Sequence, residues 1–251
     1  MTKITTPEQT AGLPERLDAL AGKTIAAIPF DTDFEDLSFG PLTGISKAMR
    51  AIETAEGLTL ETAARLILRD EPHYLVAQPG AQFSLPEALI ARNGRRTQMR
   101  SCYAPDLIVL DAERGHLVIA EFKRSGTSVN RAEIDSIRTK LEAIAPLAMG
   151  ELRRTYKSVE IRKVDLAVVD CAGRDKRNVL VDLSLFGELL NHQNFASMML
   201  HYRQCFGRHA QAALRSDFGI HLADRDGLVP EPEEFEPLIR FYERPSHGGV
   251  R

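Results

Sequence analysis

The sequence contains, near its middle, the stretch Pro105-Asp-Leu-Ile-Val-Leu-Asp-Ala-Glu-Arg-Gly-His-Leu-Val-Ile-Ala-Glu-Phe-Lys123. Two apolar runs of strand length, rich in β-branched residues, lie on either side of a four-residue loop, a pattern typical of a β-hairpin. Counting outward from the loop pairs Asp106 with Glu121 on one face, with their Cβ atoms about 5 Å apart. Two such charges repel by about 3 kcal/mol at an effective dielectric of about 20. A proton or a cation is therefore expected between them.

Both faces of the predicted hairpin are apolar, which is typical of a sheet covered by helices on both sides. Charged groups at the end of such a strand are costly to bury unless they coordinate or catalyse something. Lys123 follows Glu121 by two residues and therefore returns to the same face. We interpret Asp106, Glu121 and Lys123 as a functional cluster. The face that they share carries Ile108, Leu110, Leu117 and Ile119, and the opposite face carries Leu107, Val109, Val118, Ala120 and Phe122.

Secondary-structure signals on both sides of the hairpin extend it into a larger α/β unit. Residues 84–93 have the pattern of a short helix, and residues 97–103 that of a strand leading into the hairpin. After the hairpin, residues 129–145 show the periodicity of an amphipathic helix that ends at Pro146, and residues 163–170 have the pattern of a further strand. The expected order is therefore helix, three strands, helix and strand.

The residues Pro105-Asp106 and Glu121-Phe122-Lys123, in this order of elements, resemble the signature of the PD-(D/E)XK nuclease superfamily. The resemblance covers residues 84–182 and implies the restriction-endonuclease-like α/β fold, a central mixed β-sheet flanked by helices in the order αβββαβ. It implies that Asp106 and Glu121 bind one or two Mg²⁺ ions, with the Phe122 carbonyl as a third ligand, and that Mn²⁺ can substitute. Lys123 is then expected to orient or deprotonate the attacking water or to stabilise the pentavalent phosphorane.

A further catalytic carboxylate is expected upstream, because many members of the family carry a glutamate on the helix before the first core strand. Glu87 lies on the predicted helix and is the predicted catalytic glutamate. The stretch from Ser84 to Glu87 also fits a capping box, in which Glu87 would bond back to the Ser84 main chain. The alternatives on the preceding segments are Glu53, Glu61 and Glu71.

The charge of the chain is unevenly distributed along its length. The whole sequence carries a net charge of −3. Residues 92–177 contain 18 Lys/Arg and 12 Asp/Glu, which leaves the remainder of the chain at −9. A basic region around an acidic centre suits contact with a phosphate backbone, so DNA is the expected partner. The candidate contacts are Arg95, Arg96, Arg100, Arg124 and Arg131.

Cysteine spacing and hydropathy limit the class of protein. The three cysteines are widely separated and fit neither a disulfide framework nor a CxxC site, which indicates a reducing cytoplasm. No signal peptide is predicted, because the N-terminal residues contain no apolar h-region. No membrane span is predicted, because no apolar stretch approaches the roughly 18 residues that a span needs. The oligomeric state stays open, and a homodimer is one alternative.

The pattern of helices, charge and proline divides the chain into four predicted regions. They are a mostly helical N-terminal region at 1–83, a nuclease-like core at 84–183, C-terminal helices at 184–222 and an acidic, proline-containing tail at 223–251. Within the first region, two separate helices are predicted at 44–56 and 59–69.

Two further patterns are not interpreted as functional sites. Gly22-Lys23-Thr24 ends like a phosphate-binding loop, but Leu17 stands where that motif needs a glycine. His201, Cys205 and His209 would line one helix face, but no fourth ligand lies nearby and this spacing specifies a zinc site only loosely.

The sequence therefore predicts a Mg²⁺-dependent deoxyribonuclease. Endonuclease action is favoured, because nothing in the chain indicates a motor domain or a ring-forming interface. Restriction, phage defence and repair are all compatible roles, and family analogy favours the first two. The alternative is a catalytically silent nucleic-acid-binding or scaffold protein that retains the nuclease fold. The intact residues Asp106, Glu121 and Lys123 argue against a loss of activity.

Overall fold

A computed structural model of the chain describes residues 12–30, 43–86, 102–125, 129–173 and 180–218. The helices are α1 (Leu13–Ala26), α2 (Thr43–Arg69), α3 (Arg131–Thr155), α4 (Leu183–Leu190) and α5 (Phe195–Phe218). The strands are β1 (Tyr74–Val76), β2 (Phe83–Ser84), β3 (Cys102–Tyr103), β4 (Leu107–Asp111), β5 (His116–Lys123), β6 (Lys163–Asp170) and β7 (Val181–Asp182).

Within the described residues, five strands form one mixed sheet in the order β1-β4-β5-β6-β7. β4 pairs antiparallel with both β1 and β5, whereas β6 pairs parallel with both β5 and β7. Helices pack against both faces of this sheet. The chain is thus an α/β protein with a central mixed sheet flanked by helices, as the sequence predicts.

The hairpin of β4 and β5 has the register expected from the sequence. Its ladder runs from the loop to the pair formed by Leu107 and Ala120. Gly115 closes the loop with a φ of +63°, a conformation that glycine adopts without strain. A Cβ at this position would also collide with the carbonyl oxygen of Glu160, so the loop needs glycine for space as well as for conformation.

Two apolar cores lie on opposite faces of the hairpin. α3 covers the face that carries Ile108 and Ile119. α2 and α4 cover the face that carries Val109 and Val118, and α1 and α5 pack against these helices. These four hairpin side chains are at most 3 % exposed. Charged groups at the ends of the two strands therefore lie beside an interior that solvates charge poorly.

The main sheet and its helices follow the order helix, three strands, helix and strand only when β2 and β3 are set aside, and the first two elements are not the expected ones. The helix is α2, and the first strand is β1, which pairs with β4 at the edge of the sheet. β3, which falls in the strand predicted at 97–103, pairs instead with β2 in a separate ladder. The sequence pattern missed β1 because its three residues, Tyr74–Val76, are too few to show strand periodicity.

The helix predicted at 84–93 does not begin where the sequence indicates. Ser84 pairs with Cys102 in the ladder of β2 and β3, and Leu85 and Pro86 are not helical. Pairing with a distant strand therefore outweighs the local capping pattern at Ser84. Residues 87–93, like the acidic tail at 223–251, lie outside the described residues.

Two helices are longer than the sequence predicts. α2 continues through Gly57, where a break between two helices was expected. A glycine inside a helix costs about 1 kcal/mol, and burial of Ile52 and Leu60 on either side of Gly57 offsets that cost. α3 likewise continues past Pro146, because Leu152 extends its buried stripe by two further turns.

The C-terminal helices pack beside the sheet after a capped start. The Asp182 side chain accepts a hydrogen bond from the Leu185 N–H at 2.8 Å, which caps the start of α4. Asn191, with a φ of 62°, ends the helix.

In the part of the chain that the structure describes, no helix combines the length and the apolar character that crossing a membrane requires.

Candidate active site

Asp106 lies immediately before β4, and Glu121 lies near the end of β5. The ladder ends with Leu107 opposite Ala120, so its continuation by one residue brings Asp106 opposite Glu121. The main-chain N–H of Phe122 donates to Asp106 Oδ2 at 2.7 Å, which holds the Asp106 side chain against the end of β5. The hairpin therefore brings together Asp106 and Glu121, which we call the acid pair.

The acid pair is unfavourable as two bare charges. Burial and the charge of Glu121 raise the pKa of Asp106 from 3.8 to about 7, although the hydrogen bond from Phe122 lowers it. The charge of Glu61 raises the pKa of Asp106 further, and Lys123 lowers it. Asp106 therefore keeps its proton to a higher pH than a solvent-exposed aspartate does. A proton on one carboxylate relieves the repulsion, and a bound cation is the alternative.

Each carboxylate oxygen of Glu121 has a donor. Lys123 Nζ lies 3.3 Å from Oε1 and forms an ion pair with it. The Tyr103 hydroxyl donates to Oε2 at 2.7 Å. Lys123 thus shares a face with Glu121, as the two-residue spacing predicts. The two donors together fix the orientation of the carboxylate.

Tyr103 is a site residue that the sequence does not reveal. It pairs with Phe83 of β2 and packs against the core beneath α3. Burial and the charges of Glu121 and Asp106 raise the pKa of Tyr103 well above its ordinary value, so the phenol keeps its proton and donates. Aromatic residues in strands are normally core residues, and no local pattern distinguishes Tyr103 from them.

Arg65 of α2 is a second residue that the sequence does not reveal. Its side chain is 5 % exposed. Nη1 donates to the Ala77 carbonyl at 2.8 Å, and Nη2 donates to the main-chain carbonyl of Asp106. These carbonyls lie just beyond the end of the ladder between β1 and β4, where strand pairing no longer supplies donors. Arg65 supplies these donors and so fixes the main chain of Asp106. In a sequence, a single arginine on a helix indicates a surface charge.

Glu61 lies one helical turn before Arg65 on α2, with Oε2 4.0 Å from Arg65 Nη2. Burial raises the pKa of Glu61, the charge of Arg65 lowers it, and the charge of Glu121 raises it again. Glu61 in turn raises the pKa of Asp106. This alternative for the upstream acid therefore lies within electrostatic range of both members of the acid pair.

The other candidates for the upstream acid differ from Glu61 in their surroundings. Glu53 forms an ion pair with Arg124 at 3.2 Å. Glu71 Oε2 lies 3.6 Å from His73 Nδ1, and Glu71 Oε1 lies 3.5 Å from His192 Nε2. Glu87 lies outside the described residues. Glu53 and Glu61 both lie on α2, the helix that precedes the first strand of the sheet, and Glu61 also interacts electrostatically with both members of the acid pair.

The predicted DNA contacts fall only partly within the described residues. Arg124 forms ion pairs with Glu53 at 3.2 Å and with Glu56 at 3.6 Å. Such partly exposed pairs contribute roughly 0–1 kcal/mol, so a phosphate can replace a carboxylate as the partner of Arg124. Arg131 is exposed at the first residue of α3. The residues outside the described part are Arg95, Arg96 and Arg100.

The atoms that the site offers to a cation are oxygens. A strand residue points its N–H and C=O to the same side, so the Phe122 carbonyl faces the Asp106 side, as its N–H does. Continuing the ladder puts Pro105 opposite Phe122, and proline has no N–H to bind that carbonyl. Two carboxylates and a carbonyl fit a hard cation such as Mg²⁺. Among the described residues, no group of three or more His, Cys, Asp or Glu side chains is placed to hold a metal.

The site is thus an acid pair with an adjoining lysine, held by a tyrosine from β3 and an arginine from α2. It lies where β4 begins and β5 ends, at the end of the hairpin opposite its loop. No protein-family model, no curated protein and no solved structure matches the chain.

Proposed function

We propose that the protein is a Mg²⁺-dependent deoxyribonuclease that hydrolyses phosphodiester bonds in DNA. The observation that carries the proposal is the acid pair, which is held together although this raises the pKa of Asp106 to about 7. Strongly shifted carboxylates cluster at sites that bind cations or transfer protons. Lys123, 3.3 Å from Glu121, adds the positive group that such a site uses against phosphate charge.

The order of elements supports a restriction-endonuclease-like fold of the PD-(D/E)XK superfamily. α2, β1, β4, β5, α3 and β6 follow one another as αβββαβ, with the small ladder of β2 and β3 inserted after β1. The first three strands of this series are antiparallel, and β6 is parallel to β5. The acid pair lies at the start of β4 and the end of β5, where the family resemblance puts the two motifs.

Asp106, Glu121 and the Phe122 carbonyl would hold the Mg²⁺ ion, for which Mn²⁺ can substitute. When bound, the ion supplies positive charge that polarises the scissile phosphate and lowers the pKa of the attacking water. Glu61 is the described carboxylate best placed to complete this set from α2, because it interacts electrostatically with both members of the acid pair.

Lys123 has a role that follows from its hydrogen bond. Its ammonium donates a hydrogen bond to Glu121 Oε1, so it places a positive charge beside the acid pair. A donor at this position stabilises the negative charge that develops on a phosphorane, or orients the attacking water. A general-base role would require Lys123 to lose its proton first.

DNA is the proposed substrate because the basic residues of the chain are concentrated in the segment of sequence that contains the site. Residues 92–177 carry 18 Lys/Arg against 12 Asp/Glu, whereas the rest of the chain is acidic. Basic side chains beside an acidic centre offset its repulsion of the phosphate backbone. We propose endonuclease action, with restriction or phage defence ahead of repair as the cellular role.

The proposal is tested with the purified chain and three substrates: supercoiled, linear and single-stranded DNA. Each is incubated with Mg²⁺, with Mn²⁺ or with EDTA. We expect nicking or linearisation of the supercoiled form with either metal and none with EDTA. Asp106→Ala should abolish cleavage. Glu113→Ala, which removes an exposed carboxylate at the loop end of the same hairpin, should leave it unchanged.

Two outcomes would contradict the nuclease proposal. Salt-sensitive DNA binding without cleavage would favour the catalytically silent nucleic-acid-binding protein. Cleavage that persists in Asp106→Ala would point to a contaminant or to a site elsewhere in the chain.

A further inference from the structure

We propose that Tyr103 is a positioning residue that holds Glu121 in the orientation needed to bind the metal ion. This inference rests on the proposed function, because it assigns a task to Tyr103 within the same site. Tyr103 acts through Glu121 and is not itself a ligand of the ion.

The contact between Tyr103 and Glu121 has the length of a strong hydrogen bond. The phenol oxygen lies 2.7 Å from Glu121 Oε2, within the range of hydrogen bonds to ionised acceptors. Lys123 occupies the other oxygen, Oε1, at 3.3 Å. A glutamate side chain has several rotatable bonds, whose freedom costs free energy to restrict. Donors on both oxygens restrict it before the ion arrives.

The ring of Tyr103 is itself held rigidly. Its main chain pairs with Phe83 in the ladder of β2 and β3. Its side chain packs against the core that includes Ile108 and Ile119 of the hairpin. Lys140 Nζ of α3 lies 5.6 Å from the ring centroid, which adds a cation–π contact. The hydroxyl therefore points at Glu121 from a fixed support.

The two members of the acid pair are held in different ways. Asp106 Oδ2 accepts from the main-chain N–H of Phe122, a donor that only proline at position 122 would remove. Glu121 Oε2 accepts from a side chain that can be changed. Hydrogen bonds that orient a metal ligand typically contribute 10- to 100-fold to metal affinity. Loss of the Tyr103 hydroxyl should therefore weaken metal binding at Glu121 specifically.

The test is Tyr103→Phe, which removes one oxygen and keeps the ring. Mn²⁺ binding to the full-length chain is measured by titration calorimetry without DNA. We expect the dissociation constant to rise by about 10- to 100-fold relative to the parent. The cleavage rate at saturating Mn²⁺ should return close to the parental rate, because the hydroxyl does not contact the substrate.

Tyr74→Phe is the matched control. The Tyr74 hydroxyl donates to the Leu190 carbonyl at 2.8 Å, and Tyr74 is 5 % exposed. Tyr74 also pairs with Asp111, at the loop end of the hairpin and far from the acid pair. This variant loses a buried hydroxyl and its hydrogen bond, so it should lose stability without a change in Mn²⁺ affinity.

Three results would overturn the inference. An unchanged Mn²⁺ affinity in Tyr103→Phe, with a parent that binds Mn²⁺, would show that the hydroxyl does not position Glu121. Normal affinity with a slow rate at saturating Mn²⁺ would mean that Tyr103 contacts the substrate. A parent chain that neither binds Mn²⁺ nor cleaves DNA would refute the proposed function itself, and this inference with it.

Discussion

Arg65 Nη2 donates to the main-chain carbonyl of Asp106 and so joins helix α2 to the strand on which the acid pair begins. The last main-chain bond between β1 and β4 runs from the Ala77 N–H to the Ile108 carbonyl, at 2.9 Å. Beyond it, the guanidinium binds the carbonyls of Ala77 and Asp106. Glu61 adjoins Arg65 on the same helix, so Arg65 links this candidate for the upstream carboxylate to the main chain of Asp106.

Replacing Arg65 by lysine should destabilise the protein by about 2 kcal/mol. An ammonium keeps the charge but cannot bind both carbonyls in the same geometry, and a buried carbonyl without a donor costs roughly 1–3 kcal/mol. Urea unfolding followed by circular dichroism measures the change. Arg69→Lys, an exposed arginine one turn further along α2, is the control and should stay within about 0.5 kcal/mol of the parent. Equal stabilities for the two variants would contradict the role of Arg65.

Asp106→Asn and Glu121→Gln should each abolish metal-dependent cleavage while the protein remains folded. Both substitutions keep the size of the side chain and remove one of the two repelling charges. Cleavage of supercoiled DNA and a thermal melt are measured on the same samples. Glu113→Gln, at the loop end of the hairpin, serves as the control. A parental cleavage rate in both acid-pair variants would move the active site elsewhere.

The stability of the metal-free protein should depend on pH through Asp106. Its pKa is raised from 3.8 to about 7 on folding, so the folded state holds a proton that the unfolded state releases between these values. The contribution of Asp106 to stability is therefore complete below about pH 4 and falls as the pH rises towards 7, by at most about 1.4 kcal/mol per pH unit.

Comparison with Asp106→Asn isolates this pH dependence from that of other groups. The difference in unfolding free energy between the parent and Asp106→Asn, followed from pH 4 to pH 8 in EDTA, should move in favour of the variant as the pH rises. A difference that is constant over this range would show that the pKa of Asp106 is not raised by folding.

Glu61→Gln should reduce cleavage more than Glu53→Gln does. Glu61 interacts electrostatically with both Asp106 and Glu121, whereas Glu53 forms an ion pair with Arg124. Glu87→Gln belongs in the same series, because Glu87 is the upstream acid that the sequence predicts. Rates at saturating Mg²⁺ and melting temperatures separate a loss of chemistry from a loss of fold. If Glu87→Gln alone inactivated the protein strongly, Glu87 would take the place of Glu61 as the proposed upstream acid.

DNA binding should weaken steeply with salt, because binding to phosphates releases counterions. Binding is measured in Ca²⁺, which is expected to support binding without cleavage. The double substitution Arg95→Glu and Arg96→Glu should flatten the slope of log K against log salt by about one unit for each phosphate that the variant no longer binds. The reduction in affinity should be similar for all DNA sequences. Salt-independent binding, or an unchanged slope in the double variant, would argue against DNA as the substrate.

The hairpin and the faces of its residues could be predicted because they depend on neighbours in sequence. The apolar runs of β4 and β5 alternate about a short loop, and that pattern alone sets which residue faces which. The adjacency of Asp106 and Glu121 and the shared face of Lys123 follow from counting outward from Gly115. Burial of both faces also follows, since neither face offers polar side chains to water.

Tertiary packing determined the elements and contacts that complete the site. Arg65 and Asp106 are 41 residues apart, and Tyr103 and Glu121 are 18 apart, so no local periodicity relates them. The short β1 took the place at the sheet edge, and Ser84 entered a ladder with Cys102 in place of beginning a helix. These choices depend on which surfaces bury the most apolar area and satisfy the remaining main-chain carbonyls. That balance exists only once distant segments have packed together.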